Sequence, residues 1–306
     1  MVCLMRKWFD KRFLCDLTRQ TWQNLWEHTV FTHVYAIAFP SILAALAALV
    51  VLLDVCAQLL PDLTGANAAI ATAKLQEVIG AVMPSQAMPV VASVISTLQD
   101  HPPSAFLPIP IAVALWYGGS SFIQIMTALN HIYGVKDTRP IWRERLSAML
   151  MALVQGGIVL TCLMLVIVWP YFVDWLKLGA LPAAVFYLAQ WLMTFVVLLG
   201  SFAITFQLGP DPSAQRFWVT PGAVFGSVMF LIASGLFSFY IQHFAHYDAL
   251  YGTLGGFVVL LFWIYVVSLV LVIAAEINRI AQDANQLSEL RRQAINVRAT
   301  EVKKAS

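Results

Sequence analysis

Charged residues are scarce in this chain. Of its 306 residues, 11% are charged and 60% are hydrophobic, and the mean hydropathy is +0.77. Soluble domains carry about 25% charged residues, so the composition excludes an ordinary water-soluble protein. The length alone would allow about two soluble domains, but a helical bundle in lipid agrees better with the shortage of charge.

The motifs of several common enzyme classes are also missing. The chain has no G-x-x-x-x-G-K-[ST] loop, no H-E-x-x-H and no Gly-x-Ser-x-Gly, so it lacks the signatures of ATP hydrolysis, zinc proteolysis and α/β-hydrolase chemistry. Its four cysteines form no C-x-x-C pair, which argues against a zinc site and a disulfide framework. We therefore expect no catalytic residue, no metal and no cofactor.

Six stretches are long and apolar enough to cross a bilayer, because a spanning helix needs about 20 mostly apolar residues. They are 33–60, 105–130, 147–173, 181–207, 219–242 and 253–281. The sequence thus predicts an all-α fold, a polytopic bundle of six transmembrane helices over 33–281. No cleavable signal peptide is expected, since the first apolar run is too long for one.

The positive charges lie on one side of the predicted bundle. Sixteen of the 18 Lys and Arg residues fall in the N-terminal segment, the second-to-third and fourth-to-fifth loops and the C-terminal tail, whereas Lys74 and Lys177 fall on the other side. Loops rich in Lys and Arg stay in the cytoplasm, so both chain ends are predicted to be cytoplasmic. We expect a multi-pass protein of a bacterial-type inner (plasma) membrane.

Three further segments accompany the spans. Residues 1–32 are predicted to form a cytoplasmic amphipathic segment, which suits either the anionic inner leaflet or the cytoplasmic face of the bundle. The external loop 61–104 contains two mildly apolar helices, for which an external cap is favoured over re-entry into the membrane. Residues 282–306 form a polar cytoplasmic tail, expected to be helical at first and then frayed.

Small and polar residues interrupt the first two spans, where lipid penalises polar groups. Span one contains Pro40 and Ser41. Span two contains Gly118, Gly119, Ser120, Ser121 and Gln124. One interpretation is close helix packing, which small residues permit. The other is a locally opened helix that lines a cavity, as in transporters.

Glu276 is an acidic residue near the cytoplasmic end of span six, two residues before Asn278. A charge at the bilayer centre costs roughly 2.5–3.5 kcal/mol, so Glu276 is expected to face the bundle and pair with a base. Gly255 and Gly256 precede it by about six helical turns and share its face. We predict that this face contacts Gly118–Ser121. Glu276 would then be a gate at the cytoplasmic mouth or one half of a structural ion pair.

Three blocks of sequence resemble the YihY/BrkB family of inner-membrane proteins, once labelled ribonuclease BN. They cover 128–135 with two later arginines, 220–240, and 251–278. The residues that carry the resemblance include Asn130, Tyr133, Gly134, Arg139, Arg145, Pro221, Gly222, Tyr240, Tyr251, Gly252, Gly255, Trp263 and Tyr265. Ala274 stands where the family commonly has glycine, a departure expected to loosen a helix contact slightly.

The first block suggests specific contacts. Asn130 is predicted to tie the end of span two by hydrogen bonds, with Tyr133 at the interface. Arg139 and Arg145 would bind lipid phosphate or Glu276, unless their role is topological alone.

The resemblance implies six spans and a role in transport or in the envelope. Our leading hypothesis is a transporter or flippase-like protein for a lipid or small amphiphilic solute, not driven by ATP by itself. The alternative is a non-transporting, virulence-associated envelope scaffold. A membrane-bound ribonuclease is least favoured, because the cytoplasmic carboxylates Asp137, Glu144 and Asp211 are dispersed rather than clustered for metal ions. Expected partners are membrane lipids and the substrate, not nucleic acid, and a homo-oligomer is compatible with the sequence.

Overall fold

The computed structural model describes residues 30–59, 108–175, 180–211, 220–244 and 254–305. Within these ranges the regular structure is entirely helical. The six helices are α1 (Val30–Leu59), α2 (Pro108–Ile132), α3 (Ile141–Trp175), α4 (Ala180–Leu208), α5 (Pro221–Phe244) and α6 (Leu254–Ala305). Each contains a segment long and apolar enough to cross a membrane, which confirms the predicted all-α bundle.

The helix ends differ from the predicted spans chiefly in α3 and α6. Helix α3 starts six residues early because the carbonyl of Pro140 accepts from the N–H groups of Arg143 and Glu144, which begins the helical turn. Helix α6 continues to Ala305, although its apolar part ends at Asp283, so the expected fraying of the tail is wrong. Of the predicted N-terminal segment 1–32, residues 1–29 lie outside the described residues, as does the loop 61–104, whereas residues 30–32 belong to α1.

The helices form a ring in chain order. Each helix packs mainly against its neighbours in sequence, and α6 closes the ring by packing against α1. Helices α2 and α6 also touch each other across the ring. Because sequence neighbours are antiparallel, the end of α2 lies at the same end of the ring as the starts of α1, α3 and α5 and the end of α4.

The buried core lies toward one end of this ring, which we call the closed end because α2 ends and α3 begins there. The core residues are Val30, Val34, Ile37, Ile125, Ala128, Leu129, Ile132, Phe202, Ala203, Phe206, Ala223, Val270, Val272, Ala274 and Ala275. Toward the opposite end, no side chain described in α1 beyond Ile42, in α2 before Gly119 or in α5 beyond Ser227 is buried. Packing is therefore tightest at the closed end, which the charge distribution predicts to be cytoplasmic.

The small residues of span two pack against α3. A Cβ added at Gly119 would lie 2.9 Å from Met149 Cγ, and one at Gly118 would lie 3.3 Å from Ala152 Cβ. The prediction that these two glycines meet the glycine face of span six is therefore wrong. Helix α2 is also unbroken through this run, so it supports the packing interpretation rather than an opened helix.

Helix α1 likewise continues through Pro40. Ser41 donates from Oγ to the Ile37 carbonyl at 2.7 Å, and its hydroxyl also hydrogen-bonds that of Ser121 in α2. Proline lacks an N–H and loosens the helix locally. The hydrogen bond between Ser41 and Ser121 joins α1 to α2 one residue after Pro40. Helix α1 does not end at Pro40.

Candidate functional site at the closed end

Helix α2 ends in a Schellman motif built on Gly134. Gly134 has a φ of 65°, a left-handed conformation that glycine adopts without the Cβ penalty. Its N–H donates to the His131 carbonyl at 3.1 Å, and the Val135 N–H donates to the Asn130 carbonyl at 3.0 Å. These two bonds satisfy carbonyls that a helix end leaves unpaired. The motif turns the chain sharply and fixes the start of the α2–α3 loop.

Asn130 joins this loop to the end of α4. Its Nδ2 donates to Asp137 Oδ2 at 2.9 Å, and its Oδ1 accepts from the Asp211 N–H at 2.8 Å. Asn130 is 6% exposed and Asp211 1% exposed, so these bonds satisfy polar groups that would be costly to bury alone. The prediction that Asn130 ties the helix end is confirmed.

Two carboxylates hold the rest of the loop. Asp211 Oδ2 accepts from both the N–H and the hydroxyl of Thr138, each at 2.9 Å. Asp137 accepts from the Arg139 side chain at 2.8 and 3.0 Å. Arg139 Nη2 also donates to the Gly209 carbonyl at 3.1 Å. The loop is therefore fastened to the end of α4 by charge-assisted bonds, which are stronger than neutral ones.

Helix α6 is joined to the same loop through Tyr133. Asn278 Nδ2 donates to Tyr133 Oη at 2.8 Å, while Asn278 Oδ1 is buried and has no hydrogen-bond partner. Glu276 is fully buried, as predicted. Burial is the main factor that raises the pKa of the Tyr133 hydroxyl, which therefore stays protonated. Tyr133 thus contacts α6 rather than only the interface.

These side chains form two neighbouring hydrogen-bonded sets, one of five residues around Asn130 and one that pairs Tyr133 with Asn278, and we call them together the latch. Its members are Asn130, Tyr133, Asp137, Thr138, Arg139, Asp211 and Asn278. The latch links the loop after α2 with the end of α4 and with α6. It brings together four predicted site residues and three that were not selected from the sequence as site residues.

The start of α5 packs directly on α6 beside the latch. Thr220 caps the helix, with Oγ1 accepting from the Ala223 N–H at 3.2 Å, and Pro221 occupies the first helical position, where its missing N–H costs nothing. A Cβ at Gly222 would collide with the Ala274 carbonyl and lie 2.7 Å from Asn278 Cβ. Only glycine therefore allows this approach.

Ala274 also faces the next small residue of α5. A Cβ at Gly226 would lie 3.0 Å from Ala274 Cβ. The alanine methyl is thus accommodated by a glycine on the partner helix. Ala274 is fully buried, so the contact between α5 and α6 is packed with alanine at this position.

Arg145 lies apart from the latch. Its Nη1 donates to Ser120 Oγ at 3.0 Å, its Nη2 donates to the Trp116 carbonyl at 2.9 Å, and its Cζ lies 4.0 Å from the centre of the Trp116 ring. Arg139 pairs with Asp137. The prediction that one of these two arginines pairs with Glu276 is therefore wrong.

The remaining predicted residues lie on α5 and α6 or beside them. The ring of Trp263 lies 4.8 Å from that of Phe237, and the ring of Tyr265 lies 5.3 Å from that of Tyr35 in α1. The ring centre of Tyr240 lies 6.3 Å from that of Phe262 in α6. Gln124 is half-buried in α2. Gly255 lies in the first turn of α6, and Tyr251 and Gly252 fall outside the described residues.

A second polar contact, not anticipated from the sequence, joins α3 to α4. Gln155 Nε2 donates to Thr205 Oγ1 at 2.6 Å and to the Ser201 carbonyl at 3.0 Å, while its Oε1 accepts from Ser201 Oγ at 2.8 Å. The sequence signal that could have predicted this contact is a lone glutamine in an apolar run, since such residues hydrogen-bond across helices in lipid.

The latch carboxylates do not form a metal centre. Among the residues that the structure describes, no group of three or more His, Cys, Asp or Glu side chains could hold a metal ion. Asp137 and Asp211 instead accept hydrogen bonds from the loop itself. The chemistry that this arrangement supports is the fastening of helices.

Gly134→Ala is expected to lower the unfolding free energy by about 1–2 kcal/mol, because alanine is strained at positive φ. No atom lies within 4 Å of the added Cβ, so the loss comes from the backbone alone. Gly156→Ala, also with open space but inside a helix, is the matched control and should be neutral or stabilising. Thermal melting of the purified protein measures both; equal melting temperatures for the two variants would contradict the motif's role.

Acidification is expected to weaken the latch through Asp137. Hydrogen bonds from Arg139 hold the pKa of the Asp137 carboxyl below its ordinary value, so its contribution is complete above the unfolded pKa of about 3.9 and is lost as pH falls through the lower, folded value. The melting temperature should drop between about pH 5 and pH 2, and Asp137→Asn should flatten that drop. Asp283→Asn, which removes the more exposed pair with Arg279 at 3.7 Å, should leave the drop in place.

Comparison with known proteins identifies the family. The family described as Virulence factor BrkB matches residues 21–297. The putative ribonuclease-like protein YfkH of Bacillus subtilis is 29% identical over 210 residues, which cover 67% of this chain and 76% of YfkH. No solved structure matches.

Shorter matches reach a second group of proteins. The UPF0761 membrane protein IL2447 of Idiomarina loihiensis is 33% identical over 85 residues, 28% of this chain and 30% of that protein. The UPF0761 membrane protein Cpha266_1653 of Chlorobium phaeobacteroides is 31% identical over 88 residues, 28% of this chain and 20% of that protein. These matches span less than a third of those relatives. The six apolar helices, the names of the membrane-protein relatives and the family match over most of the sequence agree: the chain is a multi-pass membrane protein of the BrkB virulence-factor family.

Proposed function

We propose that this protein moves a lipid or a small amphiphilic solute across the membrane and does not hydrolyse ATP itself. The observation that carries the proposal is the uneven packing of the bundle. Buried side chains and the latch close one end, whereas α1, α2 and α5 bury no described side chain toward the other end. Alternating access needs a bundle that closes at one end while the other end admits the substrate.

The latch has the properties of a gate. It consists of hydrogen bonds between separate helices and a loop, and such contacts can break and re-form as a unit without unfolding any helix. The Tyr133–Asn278 bond joins α6 to the loop after α2, and the buried Glu276 lies close enough to influence Tyr133. Opening the closed end would separate these groups.

The two alternatives predict different behaviour. An envelope scaffold would bind partners without moving lipid. A ribonuclease, the activity to which the name of YfkH refers, would need carboxylates available to metal ions or an acid–base pair. The latch carboxylates are instead occupied by N–H and O–H donors. We therefore propose that the protein is not a nuclease.

A lipid-movement assay tests the proposal. Purified protein in liposomes with a fluorescent phospholipid should raise the rate at which the label becomes accessible to an external quencher several-fold above empty liposomes. Tyr133→Phe, which removes the hydroxyl that accepts from Asn278, should change that rate. Ser268→Ala, which removes only a local bond to the Ile264 carbonyl, is the control. No movement above empty liposomes would favour the scaffold, and RNA cleavage by RNase-free protein would favour the nuclease.

The membrane orientation belongs to the same proposal. We propose an inner (plasma) membrane location with the closed end in the cytoplasm, because 16 of the 18 basic residues fall on that side. Reporters fused after Arg139 and after Arg292 should be cytoplasmic, and one near Lys74 should be external. An external reporter at Arg139 would reverse the orientation and with it the side that the latch closes.

A further inference from the structure

Arg145 holds its guanidinium near the middle of the membrane-spanning part of α2. The group bonds Ser120 Oγ and the Trp116 carbonyl. Ser120 precedes the end of α2 at Ile132 by a helical rise of about 18 Å, and half of the hydrocarbon core of a bilayer is about 15 Å thick. The charge therefore lies at a depth where an arginine is costly, which by itself marks a candidate functional residue.

The side chain of Arg145 points away from the nearer membrane surface. Met149 lies opposite Gly119, so the Arg145 backbone is about 6 Å closer to the closed end than that contact. The guanidinium nevertheless reaches past it to the Trp116 carbonyl. A basic residue that served only as a topology signal would extend toward the closed end and its water. Arg145 extends in the opposite direction.

The guanidinium retains unused donors. It has five N–H groups, of which the described contacts use two, and its buried Nε has no hydrogen-bond partner. Among the described residues no carboxylate forms a salt bridge with it. The Trp116 ring, 4.0 Å from Cζ, stabilises the cation from one side. Within the described part of the chain, the result is a positive charge that keeps uncommitted N–H groups on Nη1 and Nη2 and has no carboxylate paired with it.

We propose that Arg145, with the Trp116 ring beside it, binds the phosphate of a phospholipid headgroup. The planar fork of arginine matches phosphate oxygens in pairs. Trp116 is 59% exposed, and Val113, Leu146 and Leu150 of the same two helices are also exposed, so acyl chains can lie along this surface. This inference rests on the proposed function and narrows its substrate class to phosphate-bearing lipids.

A binding experiment on the full-length protein tests the site. Native mass spectrometry should show phosphatidylglycerol bound in preference to diacylglycerol, which lacks the phosphate. Arg145→Gln should lower the affinity for phosphatidylglycerol about ten- to a hundredfold, as expected for loss of hydrogen bonds to a charged group. Arg143→Gln is the matched control, since Arg143 is two residues away and its Cζ lies 5.2 Å from the Trp142 ring; its affinity should be unchanged.

Several outcomes would overturn the site. They are equal binding of diacylglycerol, equal losses in Arg143→Gln and Arg145→Gln, and displacement of the lipid by millimolar inorganic phosphate, which would indicate a site for free phosphate. Ser120→Ala separates ligand binding from a purely structural tie. It frees one Arg145 donor and should preserve binding, whereas equal losses in Ser120→Ala and Arg145→Gln would mean that the residues only join α2 to α3.

A second variant keeps the binding test possible if Arg145→Gln fails to fold. Arg145→Lys keeps the charge without the paired geometry and should still weaken phosphatidylglycerol binding; wild-type affinity in that variant would overturn the site. The liposome assay keeps the two proposals separate. Binding that depends on Arg145 without lipid movement would retain the site and reject transport. Lipid movement that is unchanged in Arg145→Gln would retain transport and reject the site.

Discussion

Replacing Gly222 with leucine is expected to prevent α5 from packing on α6, at a cost of about 3 kcal/mol or more. Even the first carbon of the new side chain would collide with the Ala274 carbonyl and come within 2.7 Å of Asn278 Cβ. The obstacle includes backbone, which cannot rotate away as the end of a flexible side chain can. The two helices would separate where Ala223, Ala274 and Ala275 form the core.

The yield of monodisperse protein and its melting temperature measure this effect. Gly235→Leu is the matched control, because Gly235 lies on the same helix and has no atom within 4 Å of an added Cβ. That variant should express and melt like the wild type. If Gly222→Leu also did so, the close approach of α5 and α6 at the closed end would be refuted.

Replacing Asn130 with alanine is expected to cost about 2–4 kcal/mol, because it removes both halves of a buried bridge. The Asp211 N–H would lose its acceptor and Asp137 would lose a donor. Asp211 is 1% exposed, so water cannot readily replace the lost bond. The effect should appear as a lower melting temperature in the purified protein.

Thr127→Ala provides the comparison for Asn130→Ala. Thr127 lies one turn earlier on α2, is exposed and bonds only the Ile123 carbonyl of its own helix. Its loss should change stability by less than about 0.5 kcal/mol. Comparable losses in the two variants would show that the bridge to α4 contributes nothing beyond the local helix.

The sequence predicted the parts of this structure that depend on local patterns. Apolar runs located the spans because lipid requires about 20 apolar residues per helix. Asn130 and the inward-facing Glu276 were also anticipated, since a polar group near a helix end or within a span needs a partner or a buried environment. These inferences need only the neighbouring residues.

The partners of these residues could not be predicted in the same way. Helical periodicity assigns Gly119 to a face but does not identify which of five other helices meets that face, and the neighbour proved to be α3. Arg139 and Arg145 were expected to bind lipid phosphate or Glu276, but long side chains reach many candidates, and their partners among the described residues are Asp137 and Trp116. Asp211 was interpreted only as a dispersed cytoplasmic carboxylate, because its link to Asn130 crosses 81 positions of sequence.

The latch also constrains the order in which the protein can mature during synthesis. The ribosome produces residues 130–139 well before Asp211, and Asp211 well before Asn278. The loop after α2 therefore enters the membrane surface region with its polar groups hydrated, and it acquires its bridges only as the later helices emerge. The final bond, between Tyr133 and Asn278, requires α6, so the closed end is the last part of the bundle to be completed.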